Sequence, residues 1–343
     1  MNQGLVAVAI LNYNGKKWLE LFLQNVIDNS TDADIVVIDN GSTDDSVKFL
    51  QNQYGNQISI ITLDKNYGFT GGYNRGLSEL EHKYFVLLNS DIEVTPNWLK
   101  EPIKLLEEDT SIAACQPKIK AYHNKEYFEH AGAAGGMIDK WGYPFCRGRI
   151  FMTAEKDDEQ YEKPCEIFWA TGACLFIRSA VFKEFKGFQE EFFAHMEEID
   201  LCWRIKNANH KIYYTPESTV YHVGGGTLST SNPRKTFLNF RNGLALIFIN
   251  LPTSKLIPVL YWRMILDGVA AVQFTLVGHF KDAWAIFKAH MSFYANLKTW
   301  RRARKFAQSK KTNEAYEVTL KKSIVFQYFI KKNKTYKQLS HNS

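Results

Sequence analysis

Asn89, Asp91 and Glu93 are the residues whose types and spacing most clearly suggest chemistry. They follow an apolar run that ends in Leu87 and Leu88 and that reads as a buried strand. Carboxylate and amide oxygens at the carboxyl end of a strand suit Mg²⁺ or Mn²⁺, which bind through one or two carboxylates while substrate phosphates complete the shell. The alternative is a strand followed by a polar turn, and this segment alone leaves both interpretations open.

Strands and helices alternate in the sequence before this segment. Residues 5–11, 34–38 and 58–63 are apolar runs of strand length. After the first run, apolar residues recur at helical spacing, which predicts an amphipathic helix. This alternation indicates an α/β fold with a parallel sheet and right-handed crossovers. Such sheets bind ligands at the carboxyl ends of their strands.

A glycine-rich segment covers residues 66–76. It lacks the Gly-Lys-Ser/Thr ending of a P-loop, and its glycine spacing differs from the dinucleotide fingerprint. Its glycines still permit close approach of the backbone to a ligand, and Arg75 offers a charge for a diphosphate.

Together these segments resemble the family 2 glycosyltransferases, and the order of the motifs makes the match specific. A later block, which contains Thr171-Gly172, Gly187-Phe188 and residues 192–204, resembles the acceptor side of that family. The resemblance covers about residues 4–245 and is closest to the branch that adds rhamnose-like or other hexose units to bacterial surface glycans. The earlier motifs stand here as Tyr13-Asn14, Asp39-Asn40-Gly41-Ser42-Thr43-Asp44, Asn66-Tyr67-Gly68-Phe69, Asn74-Arg75-Gly76 and Asn89-Ser90-Asp91.

The resemblance implies a GT-A fold, an α/β domain whose mostly parallel sheet binds a nucleoside-diphosphate sugar. We expect this domain at 1–245, with a donor half at 1–95 and an acceptor half at 96–245, followed by a helical appendage at 246–343. The site residues that it implies are Leu11, Tyr13, Asp39, Asn40, Ser42, Asn66, Gly68, Asn74, Asn89 and Arg241 for the donor, Asp91 and His222 for a metal, Trp169, Gly172 and Glu197 for the acceptor, and Glu198 for catalysis.

Two acids have defined donor roles in the family. The resemblance implies that Asp39 holds the base or ribose and that Asp91 bridges a divalent cation, Mg²⁺ or Mn²⁺, to the diphosphate. Asn89 departs from the stricter Asp-x-Asp form, so we expect metal binding to depend on the donor's phosphates. Glu93 is a further candidate ligand.

His222 precedes a segment at 224–233 that is rich in Gly, Ser and Thr and that could close over the donor as a lid. The family often has a histidine here, as a metal ligand or a diphosphate contact. The alternative is a histidine that ends a strand. Arg241 could add a phosphate contact, or it could be a helix-surface arginine.

The acids at 197–200 are candidates for a general base. Glu198 stands where the family usually has Asp. On a helix, Glu198 shares a face with apolar residues at offsets of three, four and seven, whereas Glu197 falls on a more polar side. Asp200 and Arg204, at offset four, suit a structural ion pair. We therefore expect Glu198 to be the base.

The implied activity is the inverting transfer of one sugar to a hydroxyl of a glycan or lipid-linked glycan. A carboxylate takes the hydroxyl proton, and a divalent cation stabilises the leaving diphosphate. Two alternatives remain: a non-catalytic nucleotide-binding scaffold, or a nucleotidyltransferase. The latter would need a basic phosphate loop near the N-terminus, where only Lys16 and Lys17 are found. A nucleic-acid partner is not expected.

The C-terminal part is apolar and then basic. Apolar residues from Trp284 to Trp300 recur at offsets of three and four, so this stripe either packs on the catalytic domain or lies in a membrane interface. Residues 301–343 carry 12 Lys and Arg against two Glu, which suits an anionic membrane surface. Charges at Lys255, Arg263 and Asp267 argue against a spanning helix.

The expected location is the cytoplasm, with peripheral contact to the inner face of the plasma membrane. The chain begins without a basic and apolar signal segment, and its five cysteines show no paired spacing, which is typical of reduced thiols.

Overall fold

The computed structural model describes residues 4–224, 232–312 and 319–340. Its first part alternates strands and helices, as the sequence predicts. Asp91 lies in the short turn between two of these strands, so Asp91 and Glu93 do not share one continuing strand. The elements are β1 (Val6–Asn12), α1 (Lys16–Asp28), β2 (Asp34–Asp39), α2 (Ser46–Tyr54), β3 (Ser59–Thr62), α3 (Gly68–Ser78), β4 (Tyr84–Asn89) and β5 (Ile92–Val94).

The donor half has a parallel sheet. Strand β1 pairs in parallel with β2 on one side and with β4 on the other, and β2 pairs with β3. Strands β1, β2 and β4 are nearly continuous apolar runs because both of their faces are covered, whereas β3 at the edge of the sheet is only partly buried. Helix α1 buries Leu19, Phe22, Leu23 and Val26, which is the helical spacing that the sequence shows.

The second half extends this sheet and adds a smaller one. Its elements are α4 (Lys100–Glu108), β6 (Ile112–Ala121), β7 (Gly136–Ile138), β8 (Pro144–Cys146), β9 (Arg149–Ile150), β10 (Thr153–Ala154), β11 (Cys165–Ile167), β12 (Cys174–Arg178), α5 (Ser179–Glu184), a 3₁₀ turn (Glu190–Phe192), α6 (Glu197–Asn207) and β13 (Lys211–His222). The order in the large sheet is β11-β13-β6-β12-β4-β1-β2-β3, with β5 also paired to β13. Strands β7 to β10 form the small sheet. The α/β class is confirmed. Each antiparallel pairing of the large sheet involves a strand of the second half. Strand β12 pairs in this way with β4 and β6, and β13 pairs with β5 and β11.

Helices dominate the C-terminal part. They are α7 (Pro233–Asn250), α8 (Thr253–Leu276), α9 (Phe280–Ala295), α10 (Leu297–Ser309), α11 (Ile324–Phe329) and α12 (Tyr336–Ser340). The domain boundary predicted at residue 245 falls inside α7. Because α7 packs on α6 of the acceptor half as well as on α8, α9 and α10, it joins the two parts of the chain.

The apolar stripe predicted from Trp284 to Trp300 does not lie on one helix. A break at Asn296 separates α9 from α10 and turns the stripe. Trp284 and Met291 are exposed on α9, whereas Trp300 is buried on α10 against Phe192. Because of the helix break, one end of the stripe is exposed on α9 and the other end is buried on α10.

The basic C-terminal segment also packs on the catalytic domain where the structure describes it. Leu320, Ile324, Tyr328 and Leu339 are buried. The backbone N–H of Ile324 donates to a carboxylate oxygen of Asp139 at 2.8 Å. The described part of this segment is thus an integral layer of the fold rather than a free tail.

Helix α8 is long and apolar enough to cross a membrane by length and composition. Two of the three charges that argued against this in the sequence face the protein, whereas Lys255 is exposed. Arg263 and Asp267 are buried, and Arg263 Nε donates to Asp267 Oδ1 at 3.0 Å. Asp267 also contacts Tyr143 and His290. Because Arg263 and Asp267 lie one helical turn apart on the inner face of α8, the outer face of this helix is apolar.

Candidate active site

Polar side chains from three neighbouring strands meet at one edge of the large sheet. In the register of β1 with its two neighbours, Leu11 lies beside Asn89 and Asn12 lies beside Asp39. These residues end their strands, and β1 is central among them. The sequence motifs that are far apart along the chain are therefore brought together here.

Asp39 is buried, and its carboxylate is held by neighbours. Asn12 Nδ2 donates to Asp39 Oδ1 at 2.9 Å, and the Ser42 backbone N–H donates to Asp39 Oδ2 at 3.0 Å. Asn12 also donates to Ser42 Oγ at 3.1 Å. Tyr13 follows with its ring 42% exposed, so an aromatic face is accessible beside an oriented carboxylate. Sequence reasoning missed Asn12, although it stands between two residues that were singled out.

Asn40 and Asn66 shape the glycine-rich turn. Asn40 Nδ2 donates to the Gly68 carbonyl at 2.9 Å, and Asn40 Oδ1 accepts from the Tyr67 backbone N–H at 3.0 Å. Asn66 Oδ1 accepts from the Gly68 backbone N–H at 2.8 Å. Gly68 has φ +73°, and a Cβ there would lie 2.6 Å from the ring of Phe193. These amides therefore fix the turn, and their direct contact with the donor stays a prediction.

Asn74 and Arg75 join the two halves of the domain. Asn74 exchanges two hydrogen bonds with the backbone of Phe188, at 2.8 and 2.9 Å. Arg75 donates to the Gly71 carbonyl and to Glu190 Oε1, both at 3.0 Å. The amide of Asn74 thus positions the Phe188 backbone, its contact with the donor stays a prediction, and Arg75 is paired with Glu190.

Asp91 and His222, the two predicted metal ligands, are in contact. His222 Nε2 lies 3.2 Å from Asp91 Oδ1 and 3.4 Å from Asn89 Nδ2. The pairing of β5 with β13 sets this distance, and the Val223 backbone N–H donates to the Asp91 carbonyl at 3.1 Å. Glu93 is ion-paired with Lys125 instead.

Glu129 lies behind His222 and was missed from the sequence. Its Oε2 is 3.1 Å from His222 Nδ1, so the imidazole lies between two carboxylates. Burial alone would lower the pKa of His222, but Asp91 and Glu129 raise it to about 10. Burial would raise the pKa of Glu129, and the contact with His222 instead lowers it to about 2. The two residues are 93 positions apart, so no local spacing signals the pair.

This donor set fits a divalent cation held jointly with a diphosphate. A carboxylate and a neutral imidazole suit Mn²⁺, and a second carboxylate on the far ring nitrogen is the usual support of a metal-binding histidine. The cation would displace the proton that Asp91 and Glu129 stabilise on His222 in the free protein. Within the described ranges, no cluster of three or more His, Cys, Asp or Glu side chains is arranged to hold a metal ion. The pair would therefore need phosphate oxygens to complete the shell.

Glu197 and Glu198 begin α6 and differ in their surroundings. Glu197 is buried and Glu198 is partly exposed, and each has one buried carboxylate oxygen without a hydrogen-bond partner among the described residues. Burial raises the pKa of Glu198 to about 6. Burial and the neighbouring Glu198 raise the pKa of Glu197 well above its usual range. At neutral pH, Glu198 is therefore the ionised member.

The side of α6 that the sequence marked as polar is buried. Asp200 and Arg204 form the expected ion pair at 2.8 Å, and both are buried. Asp200 also accepts from Asn250 at 2.7 Å. Glu197 shares this enclosed side because the elements around α6 cover it from several directions, which corrects the expectation of a polar environment for Glu197.

Gly172 connects the acids to the sheet edge. The Gly172 backbone packs against the Glu198 side chain, and together with the backbone of Glu198 it partly offsets the rise that burial causes in the pKa of that carboxyl. The next residue, Ala173, accepts from the Asn89 backbone N–H at 2.9 Å. Glu198 and the Asp91–His222 pair are therefore linked through two consecutive residues. Trp169 is buried and donates to the Met137 carbonyl at 2.9 Å, which gives it a packing role instead of the predicted acceptor contact.

A turn with unusual backbone geometry precedes Glu197. Phe193, His195 and Met196 have φ of +66°, +69° and +72°. Asn242 Nδ2, on α7, lies 2.7–3.0 Å from three carbonyl oxygens of this turn. Arg241 donates to the carbonyls of the same segment, at residues 191 and 192, and its contact with a phosphate stays a prediction. Most of the predicted lid at 224–233 lies outside the described residues.

The sequence and fold were compared with known proteins. The family described as "Glycosyl transferase family 2" matches residues 7–185. The chain belongs to this family. The family match spans β1 to α5 and includes the edge that carries Asp39 and Asp91.

Two similar relatives have named activities. A low-salt glycan biosynthesis hexosyltransferase of Haloferax volcanii is 25% identical over 211 residues, which cover 60% of this chain and 63% of the relative. An N-acetylglucosaminyl-diphospho-decaprenol L-rhamnosyltransferase of Mycobacterium tuberculosis is 24% identical over 236 residues, 64% of this chain and 76% of the relative. The chain thus spans somewhat less than two thirds of the first relative's length.

Solved structures of glycosyltransferases share the fold. S. aureus TarS 1-349 in complex with UDP-GlcNAc superposes with a TM-score of 0.55 and 16% identity, over 91% of this chain and 93% of that one. GalNAc-T7 with UDP, GalNAc and Mn²⁺ superposes with a TM-score of 0.56 and 17% identity, over 72% and 48%. The fold is the GT-A type.

Proposed function

We propose that the protein is an inverting glycosyltransferase that moves one sugar from a nucleoside-diphosphate sugar to a hydroxyl of a glycan or lipid-linked glycan in surface polysaccharide synthesis. The observation that carries this proposal is the contact of Asp91 with His222 at the sheet edge that also carries Asp39, with Gly172 packed against Glu198 next to that edge. Family membership and the named activities of the relatives support it.

The sheet edge would hold the nucleotide. Asp39 is oriented by Asn12 and Ser42 to accept hydrogen bonds from a base or ribose, and the exposed ring of Tyr13 offers a stacking face. Asp91 and His222 would hold Mg²⁺ or Mn²⁺ against the diphosphate. A bound divalent cation would stabilise the negative charge that gathers on the leaving diphosphate.

Glu198 would act as the general base. A sugar hydroxyl is a weak nucleophile near neutral pH, so a carboxylate must take its proton as the oxygen attacks the anomeric carbon. A pKa of about 6 leaves Glu198 ionised at neutral pH while making it a stronger proton acceptor than an ordinary glutamate. Attack from the side opposite the diphosphate is a single displacement, which inverts the anomeric configuration.

A lipid-linked acceptor would place the enzyme at a membrane surface. We propose that it works in the cytoplasm at the inner face of the plasma membrane. Support comes from one relative named for transfer to a diphospho-decaprenol-linked sugar and from the apolar C-terminal helices of this chain.

The test combines donor binding with the Asp91→Asn variant. We expect nucleoside diphosphates and their sugars to raise the Tm of the wild type when Mn²⁺ is present, because a ligand that binds the folded state stabilises it. Asp91→Asn should lose the metal-dependent part of this shift and the metal-dependent transfer while remaining folded, and loss of the ion pair with His222 should lower its unliganded Tm. Glu93→Gln, which changes a nearby half-buried carboxylate that is ion-paired with Lys125, is the matched control.

Two results would count against the proposal. Wild-type turnover by Asp91→Asn at limiting Mn²⁺ would remove the metal role of Asp91. A donor that binds but is never turned over, with any acceptor or with water, would indicate a nucleotide-binding scaffold instead.

A further inference from the structure

An apolar surface covers the outer side of the hairpin formed by α8 and α9. Of the 21 large apolar side chains that are exposed in the described part of the chain, 13 lie between residues 257 and 294. Leu276 is 81% exposed and Phe280 is 65% exposed. Scattered exposed apolar residues are ordinary, but a contiguous group of this size marks an interaction surface. We call it the hairpin face, and it consists of Ile257, Tyr261, Trp262, Ile265, Val269, Val272, Leu276, Val277, Phe280, Trp284, Phe287, Met291 and Tyr294.

The spacing of these residues shows that each helix contributes one continuous stripe. Along both helices, successive exposed residues follow at offsets of three and four, with Trp262 and Val277 as neighbours in sequence. The opposite side of α8 packs on α7 and α9. Arg263, on that inner side, also donates to the Gly142 carbonyl at 3.3 Å. Helix α8 therefore packs on the protein with one side and is exposed on the other.

The charges around the hairpin face have one sign. Between residues 253 and 297, the exposed charged side chains are Lys255, Lys281 and Lys288, whereas Asp267 and Asp282 are buried. The following helix α10 contains five Lys and Arg and no acid. Two copies of the chain docked through this face would bring lysines together, whereas an anionic bilayer would attract them.

The chemistry of the face matches the interface of a bilayer. Tryptophan and tyrosine, which occur at four of its positions, are enriched where lipid meets water because their rings have an apolar body and a polar group. A spanning arrangement would expose the inner side of α8, with Arg263 and Asp267, to lipid. Lying in the interface leaves that side against the protein.

We propose that the hairpin face docks the protein onto an anionic phospholipid bilayer, with α8 and α9 lying in the interface. The face is defined by the fold alone, and its link to a lipid-linked acceptor rests on the proposed function. Helix α7 connects the two, since it packs on both α8 and α9 and also holds the turn before Glu197 through Asn242. In the docked protein, one helix, α7, therefore lies between the bilayer and the acceptor side.

Vesicle co-sedimentation of the full chain tests the proposal. Wild type should bind vesicles of phosphatidylcholine mixed with phosphatidylglycerol, and it should bind phosphatidylcholine alone more weakly. The double variant Val272→Glu/Leu276→Glu should lose about tenfold or more in vesicle affinity, because charged side chains partition poorly into lipid. The matched control is Leu21→Glu/Met152→Glu, two exposed apolar residues elsewhere that are 54% and 83% exposed. It should bind like wild type.

The lysines provide a second, independent measurement. Lys281→Gln/Lys288→Gln should reduce binding to the anionic vesicles by about fivefold per lysine and leave the weaker binding to phosphatidylcholine unchanged. Quenching of tryptophan fluorescence by brominated lipid should fall in Trp262→Phe/Trp284→Phe, since these are the exposed tryptophans of the face.

Three results would overturn the proposal. One is equal vesicle binding by wild type and the Val272→Glu/Leu276→Glu variant with an unchanged Tm. Another is failure of wild type to bind either vesicle. The third is a dimer of wild type that this variant abolishes in sedimentation, which would assign the face to a second copy. Sugar transfer to a soluble acceptor analogue, measured on the same proteins, reports the proposed function separately from vesicle binding.

Discussion

Glu197 and Glu198 are adjacent and chemically identical, and their surroundings give them different protonation states. The pKa of Glu198 is near 6, whereas burial beside Glu198 keeps Glu197 protonated at higher pH. A base must be ionised to accept a proton, so the geometry favours Glu198. The pair resembles other sites in which two carboxyl groups are separated in pKa by environment.

Replacing each glutamate by glutamine tests this difference. Glu198→Gln should lower turnover by roughly two to four orders of magnitude with little change in donor affinity, as expected for a lost general base. Glu197→Gln should have a smaller effect, because a protonated glutamate and a glutamine are both neutral. In wild type, kcat/KM should fall as the pH drops below about 6, when Glu198 becomes protonated. A larger loss in Glu197→Gln would move the base to Glu197.

Glu129 is expected to act through His222. Glu129→Gln keeps the size of the side chain and removes its charge, so the imidazole loses its anionic support. We expect the affinity for Mn²⁺ in the presence of a nucleoside diphosphate to fall by about 10- to 100-fold, as is typical of such supporting residues. Calorimetric titration or the electron paramagnetic resonance of free Mn²⁺ measures this without turnover. Unchanged affinity would leave Glu129 as a packing residue only.

The sequence pointed to residues of the sheet edge better than to the residues that support them. Asp39, Asp91 and His222 stand in motifs whose order is specific, and the structure brings them to one edge. Asn40, Asn66 and the other amides were harder to interpret, because an asparagine side chain serves a backbone as readily as a ligand.

At the scale of elements, contacts from α7 stabilise the turn that precedes Glu197 and Glu198. Phe193, His195 and Met196 hold positive φ, which is uncommon for residues other than glycine and persists only where surrounding contacts maintain it. The amide of Asn242 supplies those contacts from α7. The turn is therefore stable only while α7 is in place.

Asn242→Ala should weaken both the fold and the reaction. Loss of buried hydrogen bonds to carbonyl oxygens costs about 1–3 kcal/mol, so denaturant unfolding should show a lower free energy of unfolding. The relaxed turn should also lower kcat, because Glu198 follows it directly. Asn239→Ala, on the same helix, is the control, since the Asn239 side chain makes no hydrogen bond within the described residues. Equal stability of both variants would contradict this role.

The periodicity of apolar residues predicted the elements of the donor half, but it did not show where the C-terminal helices begin and end. Helix α1 follows its apolar spacing closely, because one face packs on the sheet. The boundary at residue 245 was placed inside α7, since motifs end there while the helix continues. The break at Asn296 was also missed, as offsets of three and four continue through it.

At the scale of the whole molecule, the C-terminal segment closes the fold. Leu320, Ile324, Tyr328 and Leu339 are buried, and burial of one large apolar side chain contributes about 1.5–3 kcal/mol. Truncation after Thr312 should therefore lower Tm by several degrees. Differential scanning calorimetry measures the change, and an unchanged Tm would show that the segment is dispensable for stability. The basic composition of this segment predicted a tail at the surface. The segment instead packs on the fold through the apolar residues that stand between its lysines.

The start of α3 has a consequence for how the two substrates influence each other. The Phe193 carbonyl accepts from the backbone N–H of Phe69 at 2.8 Å, so the first turn of the donor-side helix rests on the strained turn before Glu197. An acceptor that shifts this turn must change the energy of the donor loop. Binding linkage is reciprocal, so the factor by which an acceptor analogue alters donor affinity must equal the factor by which donor alters acceptor affinity. Substrate synergy would then be carried by the Phe193 carbonyl, which accepts from the backbone N–H groups of both Phe69 and Thr70.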